Sequence, residues 1–185
     1  GHFGSSILGL LLAFIKDRLD YVYRDVNELE SEFNHPILTK VPLIDGSIID
    51  NEKNTINLIN SENKNNLSDK KVNYGRFFYE EAFRELATSI KFFSDKKLKI
   101  LSISSSVPQE GKSLFNILFA KTLADLGNNV LLIDGDLRKP QVHKRLALEN
   151  FIGLSNIITD ENLSFENTLS KLDGIPSLSI ITCLL

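Results

Sequence analysis

The 185-residue sequence contains no methionine, a single cysteine, no apolar run long enough to cross a bilayer and no large excess of either charge. Without a methionine the chain does not start at its own initiator, and it reads as a fragment of a longer protein. One cysteine, Cys183, rules out an intramolecular disulfide and fits a reducing compartment. Its place in an apolar run predicts a core residue, not a reactive one. A formal net charge of -3 gives no electrostatic reason to expect nucleic acid as a partner. His143 has no Cys, His or acidic residue at metal-ligand spacing, and His35 reads as a solvated loop residue. The His-Arg-Asp and Asp-Phe-Gly elements of eukaryotic-type kinases are not found.

What is present is enough for a real core: 42% of the residues are hydrophobic, which suits one α/β domain plus an extension. The most informative stretch is Ser106-Val107-Pro108-Gln109-Glu110-Gly111-Lys112-Ser113, placed behind an apolar run from Leu98 to Ser104 and before a helical pattern. It reads as a phosphate-binding loop. In such a loop backbone N–H groups curl around a phosphate, a lysine neutralises the β/γ oxygens and a serine hydroxyl holds Mg²⁺. Ser106 stands where the pattern G-x-x-x-x-G-K-[ST] has glycine, and a small residue still permits the tight turn. The predicted nucleotide contacts are Ser106, Gln109, Glu110, Gly111, Lys112, Ser113 and Leu114.

Taken in order, Phe3 to Ile15 is almost wholly apolar or small and is followed by Lys16, Arg18 and Arg24. These thirteen residues fall short of the roughly 20 a membrane span requires. The two readings are a truncated transmembrane helix and a helix that packs on the domain. The all-round apolar character and the basic flank favour the first. Leu19 to Phe33 is compatible with a charged helix that His35-Pro36 ends. Pro36 to Ile44 suggests an edge strand or extended connector, and Asp45 to Asn73 a flexible linker. The predicted organisation is 1–33 membrane exit, 34–73 connector and linker, and 74–185 a nucleotide-binding domain.

From Tyr74, Phe77, Phe78, Ala82, Phe83, Leu86, Ile90 and Phe93 recur at helical spacing and predict an aromatic inner face. After the loop, Leu114, Ile117, Leu118, Ala120, Leu123 and Ala124 make a helix that ends near Gly127. Val130 to Ile133 reads as a buried parallel strand, completing a βαβ unit. Ligands in such sheets sit beyond the carboxyl ends of the strands, which puts Asp134, Asp136 and Arg138 beside the loop. Two carboxylates there can organise Mg²⁺ and accept the proton of an attacking hydroxyl. Pro140 opens a helix with Val142, Leu146 and Leu148 inside and His143 and Arg145 outside. Phe151 to Ile158 and Phe165 to Leu172 suggest short helices, and Ser177 to Cys183 a third strand.

Several of these pieces together resemble the cytoplasmic kinase domain of the bacterial tyrosine autokinases that control capsule and exopolysaccharide chain length. The matching segments are Glu81 to Leu86, Glu110 to Ser113, Val130 to Pro140 with His143, and Gly153 to Ser155. Gly9 to Asp20 is similar to the second transmembrane helix and cytoplasmic exit of the family's chain-length-determinant half. The resemblance implies an α/β, P-loop NTPase-like, mostly parallel sheet flanked by helices, with the remnant of an N-terminal membrane helix. It implies a protein-tyrosine kinase using ATP and Mg²⁺, at the cytoplasmic face of the inner membrane, with the polysaccharide assembly and export machinery as partner. Lys112, Asp134 and Asp136 would be the catalytic residues. Asp134 would stand near the tyrosine hydroxyl, and Asp136 and Ser113 at the metal. Arg138 would belong to the nucleotide site.

Glu81 and Arg84 match the first part of a family helix, Glu-x-x-Arg-x-x-Arg, that packs between subunits of a ring-like homo-oligomer; its last arginine is Ala87 here, which weakens that contact. The family's Walker B strand and C-terminal tyrosine cluster would follow the strand in which this chain stops. Their absence predicts a sheet incomplete at the C-terminus, with a gap in its middle, and a chain that is inactive alone. The alternatives are a switch ATPase of the cell-division or partition type and a non-catalytic nucleotide-sensing module. Val107 stands where the switch ATPases carry a signature lysine, and Pro108 where they carry glycine.

Overall fold

The computed structural model describes residues 26–42, 55, 59, 70–93, 98–107 and 110–184. The expected membrane-helix remnant at Phe3 to Ile15 and most of the expected linker lie outside these residues. No helix among the described residues is long and apolar enough to cross a membrane. The chain divides into two units, residues 1–38 and 39–185.

In the first unit, helix α1 spans Val26–Phe33. It closes at Asn34, whose φ of 51° is left-handed and whose N–H reaches the Glu30 carbonyl at 2.9 Å. Asparagine is among the few residues that take this conformation readily, so the helix stops before Pro36 for two reasons. Residues 34–42 contain no strand, so of the two readings of this stretch the extended connector agrees with the structure and the edge strand does not. Two prolines, Pro36 and Pro42, remove N–H donors that a ladder would need.

In the second unit, α2 runs over Lys70–Phe93 and so begins inside the stretch expected to be linker. Its buried face is Tyr79, Ala82, Phe83, Leu86 and Ala87, an i, i+3, i+4, i+7, i+8 stripe. Phe77, Phe78 and Phe93, expected on that face, are exposed. Phe77 lies on the far side of the cylinder and Phe78 beside the edge of the buried stripe, whereas Phe93, two turns beyond Leu86 on the same face, is exposed at the last residue of the helix. Helix α3 spans Lys112–Asp125 and is buried nearly all round, through Leu114, Ile117, Leu118 and Ala120 among others. Phe83 of α2 packs on Phe115 and Phe119 of α3 with ring centroids 5.0 and 5.8 Å apart. Such pairs add about 0.5–1.5 kcal/mol beyond their area. The helix ends where the sequence predicts. Gly127 has φ +84°, its N–H bonds the Ala124 carbonyl at 2.9 Å, and the Asn128 side chain caps the Leu123 carbonyl at 2.9 Å.

Strands β1 (Val130–Ile133), β2 (Ser170–Leu172) and β3 (Ile175–Ile181) form a sheet of order β1-β3-β2. β1 pairs parallel to β3, with Val130 opposite Leu178 and Ile133 opposite Ile181. β2 pairs antiparallel to β3, with a register shift between Lys171 and Leu172. The sheet among the described residues is therefore mixed, whereas a mostly parallel one was expected. β2 replaces part of a predicted helix. Phe165–Thr168 is a 3-10 turn, and the chain reverses at Asp173-Gly174, where Gly174 takes φ +80°. An Asp-Gly pair between two apolar runs is a strong two-residue hairpin signal, because its left-handed conformation matches the strand twist. β3 is the centre of the core: Leu178, Ile180 and Ile181 are buried, as is Cys183 beyond it.

The strand expected over Leu98 to Ser104 is not formed; residues 98–105 make no ladder, and Leu98, Ile100 and Leu101 are exposed. A strand is held by its neighbours. Here a cavity of about 770 Å³ lies between residues 98–103 and β1, lined also by Ala87, Ile90, Phe119 and Leu123. β1 itself buries Leu132 but exposes Leu131 and Ile133, so only one of its faces is covered, where two were expected.

Two short helices are also described in this unit. α4 is Val142–Arg145 and α5 is Leu154–Thr159. Val142 and Leu146 are buried as expected, but His143, predicted outside, is half-buried. α5 starts at Gly153, which donates its N–H to Asn156 Oδ1 at 2.9 Å. A Cβ on Gly153 would lie 2.4 Å from the Thr182 carbonyl oxygen, so glycine lets this loop press on the end of β3.

Candidate nucleotide-binding site

The site lies where the chain leaves β1 and where it enters α3. Gly111, just before α3, has φ +86°, a left-handed value that glycine adopts without strain. Nothing lies within 4 Å of the place its Cβ would take. No side chain caps the start of α3. The first N–H groups of a helix have no partner within it, and together with the helix dipole they favour an anion. Lys112 and Ser113 open this turn, both half-buried, while Leu114 points into the core. Of the predicted loop contacts, Ser106 and Glu110 are exposed and joined to each other, and Gln109 lies outside the described residues.

Beyond β1 the two aspartates part company. The N–H of Asp134 donates to the Ile181 carbonyl at 2.9 Å, which extends the parallel pairing by one residue and fixes the start of the segment. The Asp134 side chain is 6% exposed, and its carboxylate accepts three backbone N–H groups: Asp136 at 3.2 Å, Gln141 at 3.2 Å and Val142 at 3.1 Å. It thereby bends residues 134–142 around itself and caps the start of α4. Asp136 is exposed, and its Oδ1 accepts from the N–H of Arg138 at 3.2 Å and of Lys139 at 3.0 Å. The Lys139 N–H, chiefly, holds the Asp136 carboxyl below the usual aspartate value against a desolvation cost. The Arg138 N–H and the charges of Lys112 and Arg138 act the same way. α3 packs against both β1 and α4, the elements that flank residues 134–141.

Sequence reasoning grouped Lys112, Ser113, Asp134, Asp136 and Arg138, and the fold carries all five on these two adjoining segments. It did not tell the buried acid from the exposed one, because i, i+2 spacing is silent on which side chain meets the N–H groups of a later turn. It also missed the partners of Glu110. That carboxylate accepts from the Val107 N–H at 3.2 Å and from the Ser106 hydroxyl at 3.1 Å. The Val107 N–H, chiefly, holds the Glu110 carboxyl below the usual glutamate value against a desolvation cost, helped by the Ser106 and Ser105 hydroxyls and the Ser106 N–H. Glu81 and Arg84 are exposed on α2, away from these segments in sequence, whereas Ala87 is buried. No group of three or more His, Cys, Asp or Glu able to hold a metal ion occurs among the described residues.

Comparison with known proteins gives a consistent picture. No protein-family model matches the chain. Tyrosine-protein kinase YwqD of Bacillus subtilis is 44% identical over 79 residues, covering 42% of this chain and 33% of its own length. Tyrosine-protein kinase ptk of Acinetobacter johnsonii is 28% identical over 181 residues, 97% of this chain and 24% of its own. The succinoglycan biosynthesis transport protein ExoP of Rhizobium meliloti is 31% identical over 91 residues, 49% of this chain and 12% of its own. Among solved structures, the BceF tyrosine kinase domain superposes with a TM-score of 0.62 at 25% identity, over 85% of this chain and 60% of that one. The chain thus spans a third or less of the length of these three relatives. In sequence it is similar to bacterial tyrosine-protein kinases, and in fold to a tyrosine kinase domain.

Proposed function

We propose that this chain carries the nucleotide-binding core of an ATP-dependent protein-tyrosine kinase acting on polysaccharide chain length and export. The observation that carries the reading is the uncapped start of α3, opened by Gly111 at φ +86° with Lys112 and Ser113 in its first turn, on a helix that packs against β1, beyond which Asp136 stands exposed. ATP would supply the phosphoryl group, and Mg²⁺ would offset the charge on its phosphates. Lys112 and the first N–H groups of α3 would hold the phosphates, and the Ser113 hydroxyl and Asp136 would hold the metal. Arg138, exposed next to Asp136, would meet the nucleotide.

A carboxylate offers about four acceptor sites, and Asp134 has three occupied by backbone N–H groups. Its main part is therefore to place Asp136, with one lone pair left toward the tyrosine hydroxyl. Asp136 has an oxygen outside its two backbone hydrogen bonds and is the acid with capacity for metal or proton. Glu81 and Arg84, exposed on α2, offer the contact for self-association in a ring, with the inner membrane and the export machinery as further partners. The test is phosphotyrosine formation from ATP by the natural protein. Lys112→Ala should abolish it with folding intact; undiminished phosphotyrosine in that variant would overturn the proposal.

A further inference from the structure

In the pattern G-x-x-x-x-G-K-[ST] the first position is glycine, and in this chain it is Ser106. The serine is more than a small substitute. Its hydroxyl donates to Glu110 Oε1 at 3.1 Å, with Oε2 at 3.4 Å, and Oε2 accepts the Val107 N–H at 3.2 Å. The Ser105 hydroxyl donates to the Val107 carbonyl at 3.0 Å, a second tie across the same turn. One side chain just before Gly111 thus bonds back to the two residues that open the loop.

We propose that Ser106 and Glu110 form a clamp that ties residues 106–107 to the start of α3 before nucleotide arrives, making Glu110 a positioning residue. The inference rests on the nucleotide reading of this loop and adds a role for Glu110 distinct from phosphate contact. Charge decides the sign of its effect. Glu110 is exposed and anionic beside the place proposed for a polyphosphate. Were Coulomb repulsion its only influence, removing it would tighten ATP binding. As a clamp it does the opposite, because the loop then loses bonds that fix it at both ends and ATP must bear the cost of ordering it. Hydrogen bonds of ordinary net strength correspond to a change of about threefold to tenfold in affinity.

The experiment measures ATP affinity of the whole protein for wild type, Glu110→Ala, Glu110→Gln, Ser106→Ala and the Ser106→Ala/Glu110→Ala double variant. Alongside these, hydrogen exchange at the Val107 amide is read without nucleotide. Glu110→Ala should weaken binding about threefold to tenfold. Glu110→Gln, which keeps an acceptor and sheds the charge, should bind as well as wild type or better. The double variant should be little worse than Glu110→Ala alone, since the two side chains act as a pair. Val107 exchange should speed up in Glu110→Ala and recover in Glu110→Gln. Binding by Glu110→Ala equal to or tighter than wild type overturns the clamp, as does Val107 exchange that does not change. Lys112→Ala separates the two readings. If it leaves ATP affinity unaltered, the nucleotide reading fails, and the clamp stands or falls on Val107 exchange alone.

Discussion

Replacing Asp134 tests how the second half of the site is built. Its carboxylate serves three backbone donors in different surroundings. Val142 is 3% exposed, Gln141 is half-buried and Asp136 is exposed. In Asp134→Ala the Val142 N–H would be left buried without an acceptor, at a cost of about 1–3 kcal/mol, while water can take over much of the work at the other two. With a smaller net loss of about 0.5–1 kcal/mol at those donors, the variant should lose roughly 3 kcal/mol. Asp134→Asn behaves differently. With the amide oxygen in the place of Oδ2 it keeps Gln141 and Val142, and its NH₂ meets the Asp136 N–H in an exposed turn that can shift. The loss should then be about 1 kcal/mol. Urea unfolding followed by circular dichroism measures both, and an unchanged slope would show that the unfolded state is not the cause. An Ala variant within about 0.5 kcal/mol of wild type, or an Asn variant as unstable as Ala, would refute the assignment of Asp134 as the organiser of this segment.

Two further outcomes follow from local geometry. Gly153→Ala would set a Cβ 2.4 Å from the Thr182 carbonyl oxygen and 3.0 Å from the Leu184 nitrogen. Both are backbone atoms that cannot swing aside, so thermal unfolding should show a loss of about 1–3 kcal/mol, and an unchanged melting temperature would contradict the close packing of this loop on β3. Glu110 should titrate below its ordinary value of 4.5, chiefly because the Val107 N–H favours the carboxylate. A depressed carboxylate contributes stability above its unfolded-state pKa and loses it as pH falls through the folded one. The turn at residues 105–107 should therefore persist to below pH 4.5 and loosen only in stronger acid, read from the Val107 amide resonance. A midpoint at or above that value would count against the bond.

The sequence showed most where the chemistry is local. Gly127 is legible because a helix C-terminus that turns through a left-handed residue calls for glycine, Gly111 because of the loop pattern around it, and the α3 pattern between them is dense enough to fix a buried helix. β3 is legible as an apolar run, and Asp134 and Asp136 as acids at a strand end. What stayed hidden depends on partners. Leu98 to Ser104 has the composition of a strand, but a strand forms only beside another, and β1 is separated from it by the cavity. Leu131 and Ile133 look buried for the same reason. On α2, Phe77 and Phe78 are apolar without sharing the angle of Phe83, and Phe93 shares the face but stands at the last residue of the helix. The β2–β3 hairpin was readable from Asp173-Gly174 but was overshadowed by the helical look of Phe165 to Leu172. No spacing rule could show that Asp134 is buried beneath the turn into α4 while Asp136 is left outside.

Under the proposed function, Lys112 and Ser113 on one segment and Asp136 on another would share a single ATP·Mg²⁺ site. The most direct test is ATP affinity with and without Mg²⁺ in wild type and in Asp136→Asn, an exposed and nearly isosteric change. Mg²⁺ should tighten ATP binding in wild type, and Asp136→Asn should lose most of that gain while its Mg²⁺-free affinity changes little. Mg²⁺ dependence that survives undiminished in Asp136→Asn would contradict the shared site.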